Sequence, residues 1–349
     1  MTAKSKYDAI LFLSFGGPEG MADVMPFLEN VLRGKNVPEA RMKEVAHHYE
    51  LFGGVSPINA QNRNLIKGLE AELKKRDIAL PIYFGNRNWH PMLADTLKEM
   101  AGKGVKNVLT FVTSAYSSYS GCRQYLQDIE KALQEAQVDL NIDKLRIFYN
   151  HPLFIDANVD CVKEGLAHFT PEQLKSVHIA FTAHSIPTAM ASTSDYAGQL
   201  QKTCDLVAQA VGLSSYKLVY QSRSGPPTQP WLEPDILDHI KNLKQQGVSN
   251  ILVHPIGFVS DHMEVIYDLD HEAKQLADEL GIDMVRTKSS GNSPKFAELM
   301  GSLVQERLQS EMDASTEKPC AIGTPLPDVC APDCCAYTPM RPPQAATQK

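Results

Sequence analysis

Residues 177–187 read VHIAFTAHSIP. The run 177–182 is rich in Val, Ile and Phe and ends at a polar cluster and a proline, which predicts a short strand with His184 just past its carboxyl end. Working outward, similar runs fall at 9–14, 81–85, 108–113 and 145–150 on one side, and at 218–221, 251–255 and 283–286 on the other. Longer amphipathic stretches at 39–51, 60–76, 91–103, 124–137, 196–211 and 234–246 separate them, and a last one spans 294–311. Pro38, Pro91 and Pro234 stand at or near the starts of these stretches, where a missing N–H costs little. Alternating strands and helices predict an α/β protein with parallel sheets covered by helices on both faces. Four strands followed by four more predict two similar lobes.

The chain has 349 residues, 43% of them hydrophobic and 21% charged, so a sizeable core and about two domains are expected. A net charge of −7 and no basic run longer than Lys74-Lys75-Arg76 argue against nucleic-acid binding. No segment approaches the ~20 apolar residues of a membrane span. The apolar stretch from Ala9 to Leu13 follows two lysines but is too short for a signal peptide and reads as a buried strand. A cytoplasmic protein is expected, which argues against structural disulfides. Cys122, Cys161 and Cys204 are scattered, whereas Cys320, Cys330, Cys334 and Cys335 fall in the last 30 residues, a clustering that points to metal before disulfide. Residues 313–349 hold seven prolines and no periodicity, so composition alone predicts a disordered tail.

In open α/β sheets ligands bind beyond the carboxyl ends of the strands. SFGGPEG (residues 14–20), GNRNWHP (85–91) and TSAYSSYSG (113–121) follow strands of the first set. TAHSIP (182–187), QSRSGPP (221–227) and IGFVSDHMEVIYDLD (256–270) follow strands of the second. The unusual polar and aromatic residues thus collect on one rim. SFGGPEG lacks the spacing of a dinucleotide fingerprint, and no P-loop occurs. His184 suits a base, a metal ligand or a hydrogen-bonded structural group. Glu264, Asp268 and Glu272 are spaced i, i+4, i+8, which places three carboxylates along one helix face. Such a row is ordinarily a solvated acidic face, but here it begins beside Ser260-Asp261-His262 in the rim. Imidazole with carboxylate suits Fe2+, Co2+ or Zn2+. Trp89, Trp231, Tyr116, Tyr119 and Phe258 are either plain core or the walls of a slot for a flat apolar ligand. Ser56, Ser117, Ser118 and Arg87 suit carboxylates at its edge.

The segments LFLSFGGPEG, HYELFGGVSPI, GNRNWHPML, TAHSIP, YQSRSGPPTQPWLEPDI and GFVSDHMEVIYDLDHEA together resemble a ferrochelatase, from about Tyr7 to Leu308. SFGGPEG, FLENVLRG and FGGVSPIN are most similar to the actinobacterial type, the coproporphyrin ferrochelatases. The resemblance implies insertion of Fe2+ into a porphyrin with release of two protons, on a fold of two Rossmann-like lobes, each a parallel four-stranded sheet flanked by helices. It places the lobes at 1–120 plus 294–312 and at 121–293, with a Pro/Cys-rich tail at 313–349. His184 and Glu264 match the family's facing histidine and carboxylate, in catalytic and Fe2+-binding roles, with base and ligand both open for the histidine. Asp268 and Glu272 match an acidic path for metal entry or proton exit. Phe15, Ser56, Arg87, Asn88, Ser117, Ser118, Tyr125 and Trp231 are the expected porphyrin contacts. Phe15 replaces a tyrosine that some soluble members carry, so it brings no phenol to the metal.

Coproporphyrin III is the expected substrate, because the segment after Ile58 is polar where protoporphyrin enzymes tend to carry an apolar lip. Protoporphyrin IX is the alternative. The resemblance also implies a [2Fe–2S] cluster on four of Cys161, Cys320, Cys330, Cys334 and Cys335, against a tail of free thiols or a zinc site. A cobalt or nickel chelatase for sirohydrochlorin is the rival of the same fold, and a non-catalytic tetrapyrrole carrier the rival of another class. A carrier needs no proton acceptor opposite a carboxylate.

Overall fold

The computed structural model describes residues 5–34, 37–225, 228–312 and 320–338. β1 (Ala9–Ser14) is buried along its whole length, as a strand covered on both faces must be. Between it and β2 (Ile82–Asn86) run α1 (Met21–Leu32), α2 (Glu39–Glu50) and α3 (Ile58–Lys75). α4 (Leu93–Gly102) leads to β3 (Asn107–Val112), and a π-helical turn (Tyr119–Arg123) with α5 (Gln124–Ala136) leads to β4 (Asn141–Lys144). These strands form one parallel sheet in the order β2-β1-β3-β4.

After α6 (Pro152–Leu166) the plan repeats. β5 (His178–His184), α7 (Thr188–Ala191), α8 (Tyr196–Val211), β6 (Tyr216–Gln221), α9 (Ile236–Gln245) and β7 (Asn250–His254) follow. Then come α10 (Met263–Val265), a π-helix (Ile266–Ala273), α11 (Lys274–Glu279) and β8 (Asp283–Arg286). The second sheet, β6-β5-β7-β8, is also parallel and repeats the order of the first. α12 (Pro294–Met312) lies against α3 and α6. One core joins the two sheets, with Phe12 and Phe111 from the first, Phe181 from the second, and Phe148, Phe154 and Phe296 among them.

The fourth strand is displaced from its expected place at 145–150. Leu145 N makes the last bond of the ladder, to Thr110 O (2.9 Å), and beyond it Ile147 and Phe148 are buried outside the sheet: Phe148 packs on Phe296 of α12 at 5.9 Å, and Ile147 lies with Cys122 and Cys335. Burial under α12 and the tail made that run apolar, whereas the true strand is polar and lies at the sheet edge. Because β4 pairs with β3, the first lobe extends to Lys144 rather than stopping at 120. α1 and α6 escaped the sequence reading: Pro26 interrupts the pattern of α1, and the start of α6 is marked only by Pro152 behind the His151 cap.

The Gly-Gly pair after β1 has a packing cause. Gly16 sits at φ +83°, and a Cβ on Gly17 would come within 2.7 Å of the Ser56 Cβ. The tail is docked over 320–338. Ile322 N donates to Asn150 O (2.8 Å), the Asn150 amide donates to Thr324 O (3.0 Å), and Arg307 pairs with Asp328 (3.2 Å). The predicted disorder is therefore wrong there, and 313–319 and 339–349 lie outside the described residues. Among the described residues, no helix is long and apolar enough to cross a membrane.

Candidate active site

Three strand ends of the second sheet build the site. β5 ends at His184, in register with Gln221 at the end of β6. The loop after β7 leads to α10 and the π-helix, which carry Glu264, Asp268 and Glu272. His184 Nε2 lies 3.5 Å from Glu264 Oε1, and His262 Nδ1 lies 3.9 Å from the other Glu264 oxygen. The His184 ring is oriented by a hydrogen bond from Nδ1 to the Ser185 carbonyl, and Tyr196 donates to the His184 carbonyl (3.0 Å). Gln221 donates to the Glu264 carbonyl (2.8 Å) and to Asp268 Oδ2 (3.3 Å). Ser222, at the left-handed φ of 61°, turns its hydroxyl onto the same Asp268 oxygen. A non-glycine residue in that region is worth strain where function needs it.

Glu264 lies on the short α10, whereas Asp268 and Glu272 lie on the π-helix that continues it. The i→i+5 bonding of the π-helix opens the turn, and such segments are rare outside functional sites. Burial disfavours the His184 imidazolium, but Glu264, the Ser185 carbonyl and Asp268 outweigh it and hold the pKa at about 9. Burial, with the charges of Glu264 and Glu272, pushes Asp268 up to about 7 against the Ser222 hydroxyl and His184. Burial also raises Glu272, against its hydrogen bond to Tyr267. A cationic imidazole, a carboxylate and a half-protonated acid therefore stand in line at neutral pH.

The first rim faces this one. Tyr116 OH donates across the cleft to the Ile256 carbonyl (2.9 Å). Phe15 is 38% exposed and meets Phe27 edge-on at 6.3 Å, and Asn88 donates to the Phe15 carbonyl from its backbone N (3.1 Å). Ser56 is buried, its N donating to the Pro18 carbonyl (2.9 Å). Ser118 caps the π-helical turn by accepting from Gly121 N (2.9 Å), and Ser117 is held by Gln199. Arg87 pairs with Asp128 and lies over the Tyr125 ring at 4.4 Å. Trp231 bridges to Pro187. Tyr116 is buried in the core, Phe258 meets the His262 ring edge-on at 5.0 Å, and Tyr119 packs on Tyr337 of the tail.

In the segment after Ile58, Asn59 and Asn62 are fully buried in α3 while Arg63 and Asn64 are exposed, so its surface is polar, with Met21, Leu51 and Val55 as exposed apolar residues nearby. Cys161 is buried with its thiol toward the Ser289 carbonyl (3.6 Å), among Glu164, Asp261 and Asp160, and burial pushes it up to about 12. It does not join the tail thiols. Cys122 does: it shares a buried cluster with Ile147 and Cys335, and Cys334 Sγ lies 3.5 Å from Cys335 Sγ. Cys320 instead lies 3.3 Å from the Ser302 hydroxyl. Cys122 was missed as a partner of the tail thiols, since only the folded chain brings it to them, whereas His262 was already placed beside Glu264 by the sequence.

Paired parallel sheets with a histidine and a carboxylate in the cleft are the architecture of a chelatase. SirB of Bacillus subtilis, solved with Fe3+, shares the fold with a TM-score of 0.53 and 11% identity, over 87% of this chain and 96% of its own. A ferrochelatase family model matches residues 7–308. A ferrochelatase of Rhodopirellula baltica is 52% identical, covering 99% of this chain and 98% of its own length. A coproporphyrin III ferrochelatase of Nocardia farcinica is 48% identical, covering 97% and 99%. The chain belongs to the ferrochelatase family. It is a lyase whose substrates are Fe2+ and a porphyrin.

Proposed function

We propose that this chain inserts Fe2+ into coproporphyrin III and releases two protons, with His184 and Glu264 as the reacting pair. The observation that carries the pairing is their 3.5 Å approach at the mouth of the cleft. Removing two pyrrole protons requires an acceptor, and a neutral imidazole is one. Glu264 then holds the resulting imidazolium, and Asp268, poised at about 7, passes a proton toward Glu272 and solvent. The same carboxylates attract the incoming cation, so metal entry and proton exit share one acidic path. Phe15, Ser56, Arg87, Asn88, Ser117, Ser118, Tyr125 and Trp231 frame the porphyrin. Coproporphyrin rests on the relatives of that name, and the segment after Ile58, with Arg63 and Asn64 at its surface, agrees with it. Anaerobic turnover with Fe2+ is expected to run at least about tenfold faster on coproporphyrin III than on protoporphyrin IX, an energetic preference of about 1.4 kcal/mol. Equal or reversed rates sink the coproporphyrin assignment.

A [2Fe–2S] cluster on the tail is the second part of the proposal. We place its ligands at Cys122, Cys330, Cys334 and Cys335 rather than in a set that includes Cys161, because Cys122, Cys334 and Cys335 share one cluster and Cys330 stands on the same tail loop. Among the described residues no group of three or more donors already surrounds a metal position, so the thiols would close around the cluster as it binds. Metal-binding cysteines must be thiolates; the contact between Cys122 and Cys335 lowers the pKa of Cys122 but raises that of Cys335, and burial raises that of Cys330, so those protons would have to be drawn off as a cluster binds. A bound cluster would pin the tail and supply one-electron chemistry that metal insertion does not use. Cys122→Ser is expected to strip the visible cluster absorption from the purified protein, and Cys161→Ser to leave it intact. The opposite pattern would return Cys161 to the ligand set. A cytoplasmic location fits seven cysteines that stand as free thiols.

A further inference from the structure

The two sheets share one strand order, and two glutamines occupy equivalent places in it. Gln61 is in the first turn of α3, which runs between β1 and β2; Gln199 is in the first turn of α8, between β5 and β6. Each reaches across the cleft to the loop that follows the opposite sheet's matching strand. Asp261 N donates to Gln61 Oε1 (2.8 Å), and Gln61 Nε2 donates to Asp261 Oδ2 (3.2 Å). Ser117 N donates to Gln199 Oε1 (2.8 Å), and Gln199 Nε2 donates to Ser117 Oγ (2.9 Å). One amide thus reads both the backbone and the side chain of one residue, and the pattern occurs twice. Reversing either amide would set its N–H against a backbone N–H.

The receiving residues are anchored. Asp261 also accepts from Arg286 (2.7 Å), Ser289 N (3.1 Å) and Asn292 (2.9 Å). Arg286 in turn grips Asp270, so both ends of the segment holding Glu264 and Asp268 are tied to β8. Ser117 precedes Ser118, the cap of the π-helical turn.

We infer that Gln61 and Gln199 are a pair of positioning residues that fix the opening of the cleft: Gln61 sets the metal edge through Asp261, three residues before Glu264, and Gln199 sets the porphyrin edge at Ser117 and Ser118. The inference rests on the reading of His184 and Glu264 as the reacting pair. Neither amide touches a substrate in this role. Misplacement by about 1 Å can cost about 10²-fold in rate, so a two-bond strut on each side has something to protect.

The test uses the full-length protein and zinc insertion, with KM for metal and for porphyrin measured separately beside thermal unfolding. Gln61→Ala is expected to raise the metal KM and lower kcat by about tenfold while porphyrin KM stays within about twofold; Gln199→Ala should raise the porphyrin KM instead. Glutamate separates the sites further. Gln199→Glu keeps both bonds, because the Ser117 hydroxyl can donate, and should restore the porphyrin KM. Gln61→Glu sets carboxylate against carboxylate and should be worse than Gln61→Ala. The inference fails if both alanine variants match the parent, or if each moves the two KM values alike. His184→Ala is run in parallel. Should it still metallate, the reading of the reacting pair is lost, and the clasps are judged on porphyrin affinity by fluorescence quenching in Gln199→Ala and Gln199→Glu.

Discussion

His184→Ala is expected to lower metal insertion by about 10³-fold or more while porphyrin still binds, the upper part of the ~10²–10⁴ range for losing a positioned general base. The argument rests on position and charge together. His184 stands at the end of a buried central strand, its ring held by Ser185 and its Nε2 turned to Glu264. With a pKa of about 9 the free protein holds the imidazole mostly protonated at neutral pH. Neutral imidazole is the proton acceptor, so the single-turnover rate should climb as pH rises toward about 9, by about tenfold per unit where this step limits. Flat dependence across that interval, or full activity in the alanine variant, removes His184 as the acceptor. Glu264→Gln takes away the largest charge favouring the imidazolium and should move the His184 titration down, which histidine ring resonances would report.

The second large effect is on stability. Arg146 and Glu306 form a two-bond ion pair (2.7 and 2.9 Å), with the Arg146 side chain only 1% exposed. Arg146 also donates to the Cys320 carbonyl (3.1 Å), so the pair ties α12 to the start of the docked tail. Glu306→Leu leaves a buried guanidinium without its counter-charge, at a cost of about 3–5 kcal/mol. Arg146→Met combined with Glu306→Leu should recover most of that, since no charge is left stranded. Breaking the half-exposed Lys295–Asp160 pair should cost no more than about 1 kcal/mol. Urea midpoints of these variants are the measurement. A Glu306→Leu midpoint equal to that of the Lys295→Ala variant would mean the buried pair stabilises nothing, and protease cleavage within 320–338 should rise only in the former.

The alternation of strands and helices was legible because parallel strands covered on both faces must be apolar, and β1 and β8 fall where the pattern puts them. The fourth strand was misplaced because burial and pairing, which usually coincide, part company beyond Leu145. His184 and Glu264 were legible from their motifs, but not the π-helical turn beneath Glu264, since no residue pattern distinguishes it from an α-helix. Cys122 was hidden for a different reason. It lies 200 residues before the tail in sequence and meets Cys335 only because the tail folds back over Ile147. Of the polar letters after Ile58, Arg63 and Asn64 are at the surface, but Asn59 and Asn62 lie on the inner face of α3 against the usual exposure of asparagine, and Asn59 spends its amide on the Gly17 and His90 carbonyls.

α12 supplies Phe296, Leu299, Met300, Leu303 and Val304 to the core that β1 and β3 share with α3. On the ribosome, those strands emerge first and that helix almost last. The first sheet must therefore wait, one face only partly covered by α3, while the whole second sheet is made, and α6 waits with it, since its Phe154 meets Phe296 at 6.3 Å. A nascent chain stalled before Pro294 would present that apolar surface to chaperones.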